Sequence, residues 1–149
     1  MRPSRPWWRR LKPEERECVT FFDWCRLQRY GTHPLSDYVM HIPNERAGKI
    51  TRLILAAMGV QSGVWDYLVA VPTATSPGLW IEMKLKGETA VTRNQVEFGE
   101  RMTRLGWSCG VARDSYEAAS LVALHMDGLV KAGKARVSLS LPASVIRSS

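Results

Sequence analysis

A predicted β-hairpin in the middle of the 149-residue chain is the strongest constraint on the fold. Two segments with the composition of strands, 64–71 and 79–84, flank the run Pro-Thr-Ala-Thr-Ser-Pro-Gly at 72–78, which is rich in turn-forming residues. Because successive side chains of a strand point to opposite faces, Glu82 and Lys84 emerge on the same face. The pattern therefore predicts two antiparallel strands, the second of which carries a charged pair among apolar residues.

A second carboxylate lies on the first strand of this hairpin. Asp66 is flanked by Trp65 and Tyr67, a poor setting for an ordinary surface aspartate. Two carboxylates brought together make a hard oxygen site that suits Mg²⁺ or Mn²⁺. A lysine beside them can orient an attacking water or offset charge on a phosphate. Taken alone, Glu82 and Lys84 would instead indicate an ion pair on a half-exposed strand.

Composition and charge narrow the class of protein. Hydrophobic residues make up 45% of the chain and charged residues 23%, which predicts one folded domain rather than a disordered or fibrous chain. The chain has 21 Lys and Arg against 14 Asp and Glu, a formal net charge of +7. This excess favours a polyanionic partner such as nucleic acid, although many basic proteins bind none.

The three cysteines form neither a C-x-x-C pair nor an even disulfide framework. Cys18, Cys25 and Cys109 are therefore predicted to be buried core residues in a reducing cytoplasm. No apolar run has the length of a membrane span, and no hydrophobic region typical of secretion follows the basic start. We expect a soluble, intracellular protein that does not bind a membrane.

Periodicity and capping residues predict four helices and three strands. The helices cover 13–30, about 46–58, about 92–105 and the stretch opened by Asp114, and the strands cover 64–71, 79–84 and 108–112. Gly31 and Gly59 are expected to end the first two helices. Asp114 and Glu117 have the spacing of a capping box.

Three regions follow from these elements: a basic N-terminal arm at 1–12, a domain at 13–127 and a C-terminal extension at 128–149 with one candidate strand over 137–141. The arm has no acidic residue and two tryptophans, so it either lies along a phosphate backbone or is a solvated tail with tryptophan packed on the domain. The basic residues of the second helix face away from its apolar side. The candidate DNA-binding residues are Arg9, Arg10, Asn44, Arg46, Lys49, Arg52, Lys86 and Arg93.

Four spaced segments resemble the VRR-NUC family, the virus-type replication and repair nucleases of the PD-(D/E)xK superfamily. They are His-Ile-Pro-Asn-Glu at 41–45, Gly-Val-Gln-Ser-Gly-Val-Trp-Asp at 59–66, Gly-Leu-Trp-Ile-Glu-Met-Lys at 78–84 and Thr-Arg-Asn-Gln at 92–95. The resemblance implies a single α/β domain of the restriction-endonuclease type, a mixed β-sheet flanked by helices.

The resemblance also implies roles for individual residues. Asp66 is similar to the metal-binding aspartate of the family and Glu82 to its second acidic ligand, with the backbone carbonyl of Met83 completing the metal shell. Lys84 is similar to the catalytic lysine and Gln95 to the glutamine of the following helix. In the segment at 41–45, Asn44 is interpreted as a residue that faces substrate or caps a helix.

Some positions keep a second interpretation. The family uses an acidic residue on its first helix, for which we choose Glu14 as a further candidate metal ligand, although a glutamate there also favours the positive end of a helix. Thr92 and Gln95 have the spacing of a capping box, which would explain Gln95 without chemistry. Trp65 replaces the proline common before the aspartate, and Cys18 replaces a glutamine often found on the first helix.

The expected activity is that of a Mg²⁺- or Mn²⁺-dependent deoxyribonuclease in a bacterial or phage-infected cell. Members of the family without extra domains resemble dimeric enzymes that resolve four-way DNA junctions, so a homodimer acting on branched DNA is expected. Two alternative functions remain: the first rival is a flap or nicking nuclease, and the second is a non-catalytic DNA-binding or assembly protein that keeps the fold. Retention of all three charged hairpin residues argues against the second rival.

Overall fold

The computed structural model describes residues 6–43, 48–88 and 90–131, the last four of these without their side chains. A 3-10 helix, Trp7–Arg10, leads into helix α1, Pro13–Leu27. The Glu15 carboxylate accepts the backbone N–H of Lys12 at 2.7 Å, which satisfies one of the free N–H groups at the start of α1.

Helix α1 ends three residues before the predicted position. Arg29–Tyr30 forms a short strand, β1, that pairs antiparallel with β2, His33–Pro34. Gly31 has a φ of 60° and forms the turn between them. The glycine therefore marks a hairpin turn, and the helix has already ended at Leu27.

Strand β3, Val39–His41, is absent from the predicted elements. It follows a second 3-10 helix, Leu35–Tyr38, and pairs antiparallel with β4, Tyr67–Val69. Three residues are too few to show a period of two, and the partner strand lies far away in sequence.

Helix α2, Lys49–Ala57, lies within the predicted range, and Gly59 follows it with a φ of 101°. None of its residues is buried. Its apolar side is exposed in the described part of the chain, with Ile50, Leu53 and Ile54 at least half accessible to solvent.

The predicted hairpin is confirmed. β5, Leu79–Met83, pairs antiparallel with β4, with Tyr67 opposite Ile81 and Val69 opposite Leu79. The sheet is completed by β6, Ser108–Ala112, which runs parallel to β5 because helix α3, Arg93–Arg104, crosses between them. The strand order is β3-β4-β5-β6.

Helix α4, Ser115–Lys131, follows β6. Asp114 accepts the N–H of Glu117 at 2.8 Å, as predicted, but the Glu117 carboxylate accepts the N–H of Arg113 at 2.7 Å, one residue earlier than in a capping box. In the described residues no helix is long and apolar enough to cross a bilayer.

Helices α1 and α4 pack on one face of the sheet and enclose the main core, in which Phe21 meets Tyr67 at 5.0 Å between ring centroids. This core also contains Cys25, Leu35, Val69, Ile81, Val122 and Met126. Each such side chain contributes roughly 1.5–3 kcal/mol on burial. All three cysteines are free thiols, and Cys18 and Cys109 are only partly buried, unlike Cys25.

The opposite face is covered by α3 through aromatic contacts. Trp80 meets Phe98 at 5.0 Å, and Trp65 lies 6.3 Å from the same ring. The indole N–H of Trp65 donates to the backbone carbonyl of Gln95 at 2.8 Å, which fixes α3 beside the residue that precedes Asp66.

A buried histidine joins α4 to the far end of the sheet. Nε2 of His125 lies 2.6 Å from the carbonyl oxygen of Val71, and Nδ1 lies 3.0 Å from the hydroxyl of Ser108. A neutral ring that donates from Nε2 and accepts at Nδ1 satisfies both contacts. Burial lowers the pKa of His125, so the neutral form is favoured.

The substitution Gly99→Ala tests the contact between α3 and Trp65. A Cβ at position 99 would lie 2.5 Å from Cζ2 of Trp65, whose ring is held by its hydrogen bond. We expect a loss of about 1–3 kcal/mol in the free energy of unfolding, although alanine normally stabilises a helix interior by about 0.5–1 kcal/mol.

Urea denaturation measures the change, and Glu100→Ala, at the adjacent exposed position of α3, is the control. The control should remain within about 0.5 kcal/mol of wild type. A Gly99→Ala protein more stable than wild type would contradict the tight contact.

Candidate active site

The register of the hairpin places two carboxylates side by side. Tyr67 lies opposite Ile81, so the same register continued by one residue sets Asp66 opposite Glu82. Residues directly opposite in an antiparallel pair share a face of the sheet. The sequence predicted that Asp66 and Glu82 share one site, and the strand pairing brings them together.

Backbone hydrogen bonds hold Asp66 from both sides. Its Oδ2 accepts the N–H of Met83 at 2.8 Å, and its main-chain carbonyl accepts the N–H of Ile42 at 2.7 Å. The first bond ties the carboxylate to β5, and the second continues the pairing with β3. The position of this side chain is therefore set by the sheet.

Glu82 is the more deeply buried acid, with only 2% of its surface exposed. Its Oε1 accepts a hydrogen bond from the side-chain amide of Gln95. Its Oε2 is buried and has no hydrogen-bond partner among the described residues. An unsatisfied buried carboxylate oxygen is costly, so this atom is a candidate ligand for a cation.

Burial and mutual repulsion work against two negative charges here. Burial, followed by the charge of Asp66, raises the pKa of Glu82 to about 8, although Lys84 opposes the shift. Burial also raises the pKa of Asp66, while the hydrogen bond from Met83 and the nearby His41 lower it part of the way. Near neutral pH the pair therefore holds a proton at Glu82 unless a cation offsets the charge.

Lys84 follows Glu82 on the same face and is partly buried. Its backbone N–H donates to the carbonyl of Ala112 at 2.8 Å, which anchors the end of β5 to β6. None of the ion pairs found in the described part of the chain involves Lys84. The described residues therefore do not form the surface ion pair between Glu82 and Lys84 that the strand pattern alone would indicate.

Gln95 has two structural roles at once. Its side-chain oxygen accepts the N–H of Thr92 at 2.9 Å, and its side-chain nitrogen donates to Glu82. The capping-box interpretation is confirmed, since Thr92 in turn accepts the backbone N–H of Gln95. The start of α3 is therefore fastened to a candidate metal ligand through one amide group.

The three glutamates at the start of α1 point to different places. Glu15 caps its own helix, and Glu17 accepts the N–H of Ser115 at 2.7 Å at the start of α4. Glu14 is the one that interacts electrostatically with Asp66 and Lys84. Burial, followed by Glu88 and then Asp66, raises the pKa of Glu14.

Two residues near the site were not assigned a role from the sequence. His41 lowers the pKa of Asp66, and its ring lies 4.8 Å from that of Tyr67. Glu88, in the loop after β5, raises the pKa of Asp66 and Glu14. His41 begins the first of the four segments that resemble the family, but its proximity to Asp66 comes from strand β3, and that of Glu88 comes from a loop conformation.

The candidate DNA-binding residues are distributed over several elements. Lys49, Arg52 and Lys86 are exposed, whereas Arg93 pairs with Glu97 at 2.8 Å. Arg9 lies 5.1 Å from the ring centroid of Trp8, in the exposed 3-10 helix that also contains Arg10. Asn44 and Arg46 lie outside the described residues, as does the candidate strand at 137–141.

The donor set fits a cation that keeps part of its hydration shell. No group of three His, Cys, Asp or Glu side chains within metal-binding range occurs in the ranges the structure describes. Asp66 and Glu82 supply two carboxylates, and the unpartnered oxygen of Glu82 is a suitable ligand for a cation. Mg²⁺ is commonly held by one or two carboxylates plus water, so the residues present fit such an ion.

Comparisons with known proteins bear on the fold. No family model and no curated protein matches the sequence. A solved structure of a VRR_NUC domain protein is similar, with a TM-score of 0.70 and 25% sequence identity, covering 79% of this chain and 93% of that chain. The predicted restriction-endonuclease-like α/β fold and the resemblance to the VRR-NUC family are thereby confirmed.

The raised pKa of Glu82 predicts how stability depends on pH without divalent cations. The carboxyl titrates near 4.5 when unfolded and near 8 when folded, so the stabilisation it contributes is complete below pH 4.5 and is lost as pH rises through 8. Relative to Glu82→Gln, the wild-type free energy of unfolding should fall in this window, by at most about 1.4 kcal/mol per pH unit.

Urea denaturation of both proteins from pH 5 to 8.5 measures the difference. Titration of His125 affects both proteins equally and cancels. Parallel stability curves for wild type and Glu82→Gln would show that Glu82 is ionised throughout, contrary to this account.

Proposed function

We propose that this chain, which has the VRR-NUC fold of a nuclease family, is a divalent-cation-dependent deoxyribonuclease that hydrolyses phosphodiester bonds. The observation that carries the proposal is the buried, unpartnered oxygen of Glu82 beside Asp66. A structural role alone does not explain why a fold would bury Glu82 beside a second carboxylate and leave one of its oxygens unsatisfied.

Asp66 and Glu82 would hold the cation, together with the backbone carbonyl of Met83 at the end of β5. Glu14, the further metal ligand expected on α1, is exposed and interacts electrostatically with Asp66, but in the described residues it does not form a group of three metal-binding side chains with Asp66 and Glu82. Mg²⁺ or Mn²⁺, when bound, polarises a phosphate and lowers the pKa of a water molecule. Its charge would also let Glu82 ionise despite burial.

Lys84 and Gln95 complete the proposed machinery. The Lys84 ammonium, on the same face as Glu82, is suited to orient the attacking water and to offset charge that develops on the phosphate. Gln95 holds Glu82 in one orientation through its amide, while its own position is set by the cap of α3. Gln95 thus acts on the reaction mainly by positioning a ligand.

The proposed substrate is DNA, most specifically branched DNA such as a four-way junction. Support comes from the net charge of +7 and from exposed basic residues on α2 and next to the site. These contacts would read the phosphate backbone rather than bases, so cleavage would depend on DNA structure more than on sequence. Arg93 contributes less than the others because its guanidinium is already paired with Glu97.

A homodimer belongs to the proposal, because two active sites related by a two-fold axis suit a two-fold symmetric junction. The exposed apolar side of α2 supports it. Ile50 and Met58 are about three-quarters exposed, and a nine-residue helix gains little stability in water without tertiary packing. The molar mass measured by light scattering decides between monomer and dimer.

Two other functions would give different cleavage results. A flap or nicking nuclease would share this site and differ only in how DNA is held, whereas a non-catalytic DNA-binding protein would bind without cleaving. A panel of linear duplex, single strand, flap and four-way junction, each with Mg²⁺ and with Mn²⁺, separates the three.

Substitutions at the site test the proposed chemistry. Asp66→Asn and Glu82→Gln each remove one negative ligand at nearly constant volume, so cleavage should fall by about 100-fold or more. Lys84→Ala should lower turnover by about 100- to 10,000-fold while DNA binding persists.

Lys86→Ala is the matched control, since Lys86 is exposed two residues away on the same segment. It should weaken DNA binding and leave turnover at saturating substrate unchanged. Circular dichroism verifies that each variant is folded. Full activity in Asp66→Asn, or equal losses in Lys84→Ala and Lys86→Ala, would contradict the assigned roles.

A further inference from the structure

A cleft of about 630 Å³ opens between the N-terminal segment, α1 and β3. Its walls are largely apolar and aromatic, with Trp7, Val19, Phe22 and Val39 among the lining residues and the buried ring of Tyr67 beneath them. The Tyr67 hydroxyl already donates to the carbonyl of Cys18 at 3.4 Å, so its polar group is engaged within the protein. A space of this size and lining is typical of small-ligand sites.

The cleft adjoins the candidate metal site. Tyr67 directly follows Asp66 in the chain, and two further lining residues, Glu14 and His41, interact electrostatically with that aspartate. A DNA strand whose phosphate lies at Asp66 and Glu82 would then run close to Glu14 and His41, and so past the cleft that these two residues line. The group that enters would belong to a nucleotide close to the scissile bond.

The charges around the cleft do not suit a phosphate group. Glu14 and Glu15 lie on its rim, and the cationic Arg26 is engaged by Asp23 at 2.5 Å. The Arg26 guanidinium also lies 4.7 Å from the ring centroid of Phe22, so a planar cation and an aromatic ring both line the cleft. A nucleobase has apolar faces that stack on such surfaces and polar edges that carboxylates at the rim can bind.

We infer that this cleft takes the base of an unpaired nucleotide in the DNA substrate, next to the bond that is cut. The inference rests on the proposed nuclease function and extends it to a preference for DNA with unstacked bases near the cleavage position. Trp7 is the principal stacking residue, because 65% of its surface is exposed while it lines the cleft. Trp8 is similarly exposed, at 51%, and is not among the residues that line the cleft.

This difference supplies a matched pair of variants, Trp7→Ala and Trp8→Ala. Binding is measured by fluorescence anisotropy in a buffer without divalent cations, on a fully paired duplex and on the same duplex with a short unpaired stretch. Trp7→Ala should weaken binding of the second DNA about tenfold, the usual effect of losing one stacked base. Its binding to the paired duplex should be unchanged, and Trp8→Ala should not discriminate between the two DNAs.

A 2-aminopurine in the unpaired stretch reports stacking directly. Wild type and Trp8→Ala should quench its fluorescence, and Trp7→Ala should not. A third variant, Val19→Trp, which fills the cleft, should reproduce the selective loss of affinity for unpaired DNA. Equal losses on both DNAs, or no loss with Trp7→Ala, would overturn base capture.

Experiments on the wild-type protein show whether base capture by the cleft or the proposed nuclease function is wrong. If wild type cleaves DNA with Mg²⁺ or Mn²⁺ but Trp7→Ala shows no selective effect, the inference about the cleft alone is wrong. If wild type neither binds nor cleaves any DNA tested, the proposed function is wrong and the cleft has another occupant, such as a peptide.

Discussion

The antiparallel register of β4 and β5 is the constraint on which the rest of the site depends. It sets the partly buried Asp66 beside Glu82, which solvent barely reaches. Two carboxylates so placed repel each other and lose hydration, which is why the pKa of Glu82 rises to about 8. The fold does not relieve this with a described ion pair, and it leaves one Glu82 oxygen without a partner. A positively charged occupant is the simplest physical means of relieving both effects.

The surroundings hold this unfavourable arrangement in place. Trp65 binds the backbone of Gln95, and Gln95 binds Glu82, so α3 is fastened to both strands of the hairpin. Gly99 leaves room for the Trp65 ring. The bulky residue thus joins the sheet to α3. These contacts fix the residues on either side of the paired carboxylates.

The sequence predicted those features that local chemistry determines. Turn formers between two apolar segments were enough to predict the hairpin, and the alternation of side chains put Glu82 and Lys84 on one face. Strand β3 could not be predicted, because three residues carry no period and pairing with β4 is a long-range contact. For the same reason the proximity of His41 to Asp66, and the use of Glu17 to cap α4, became visible only in three dimensions. The apolar side of α2 was predicted, but its exposure was not.

The central claim is that Asp66 and Glu82 form a divalent cation site, and direct Mn²⁺ binding tests it without any DNA. Electron paramagnetic resonance of free Mn²⁺, titrated with protein at pH 8, gives the number of bound ions and their affinity. The account predicts one ion for each chain, loss of this binding in Glu82→Gln and its retention in Lys84→Ala. Equal Mn²⁺ binding by wild type and Glu82→Gln, or no binding by wild type, would contradict it.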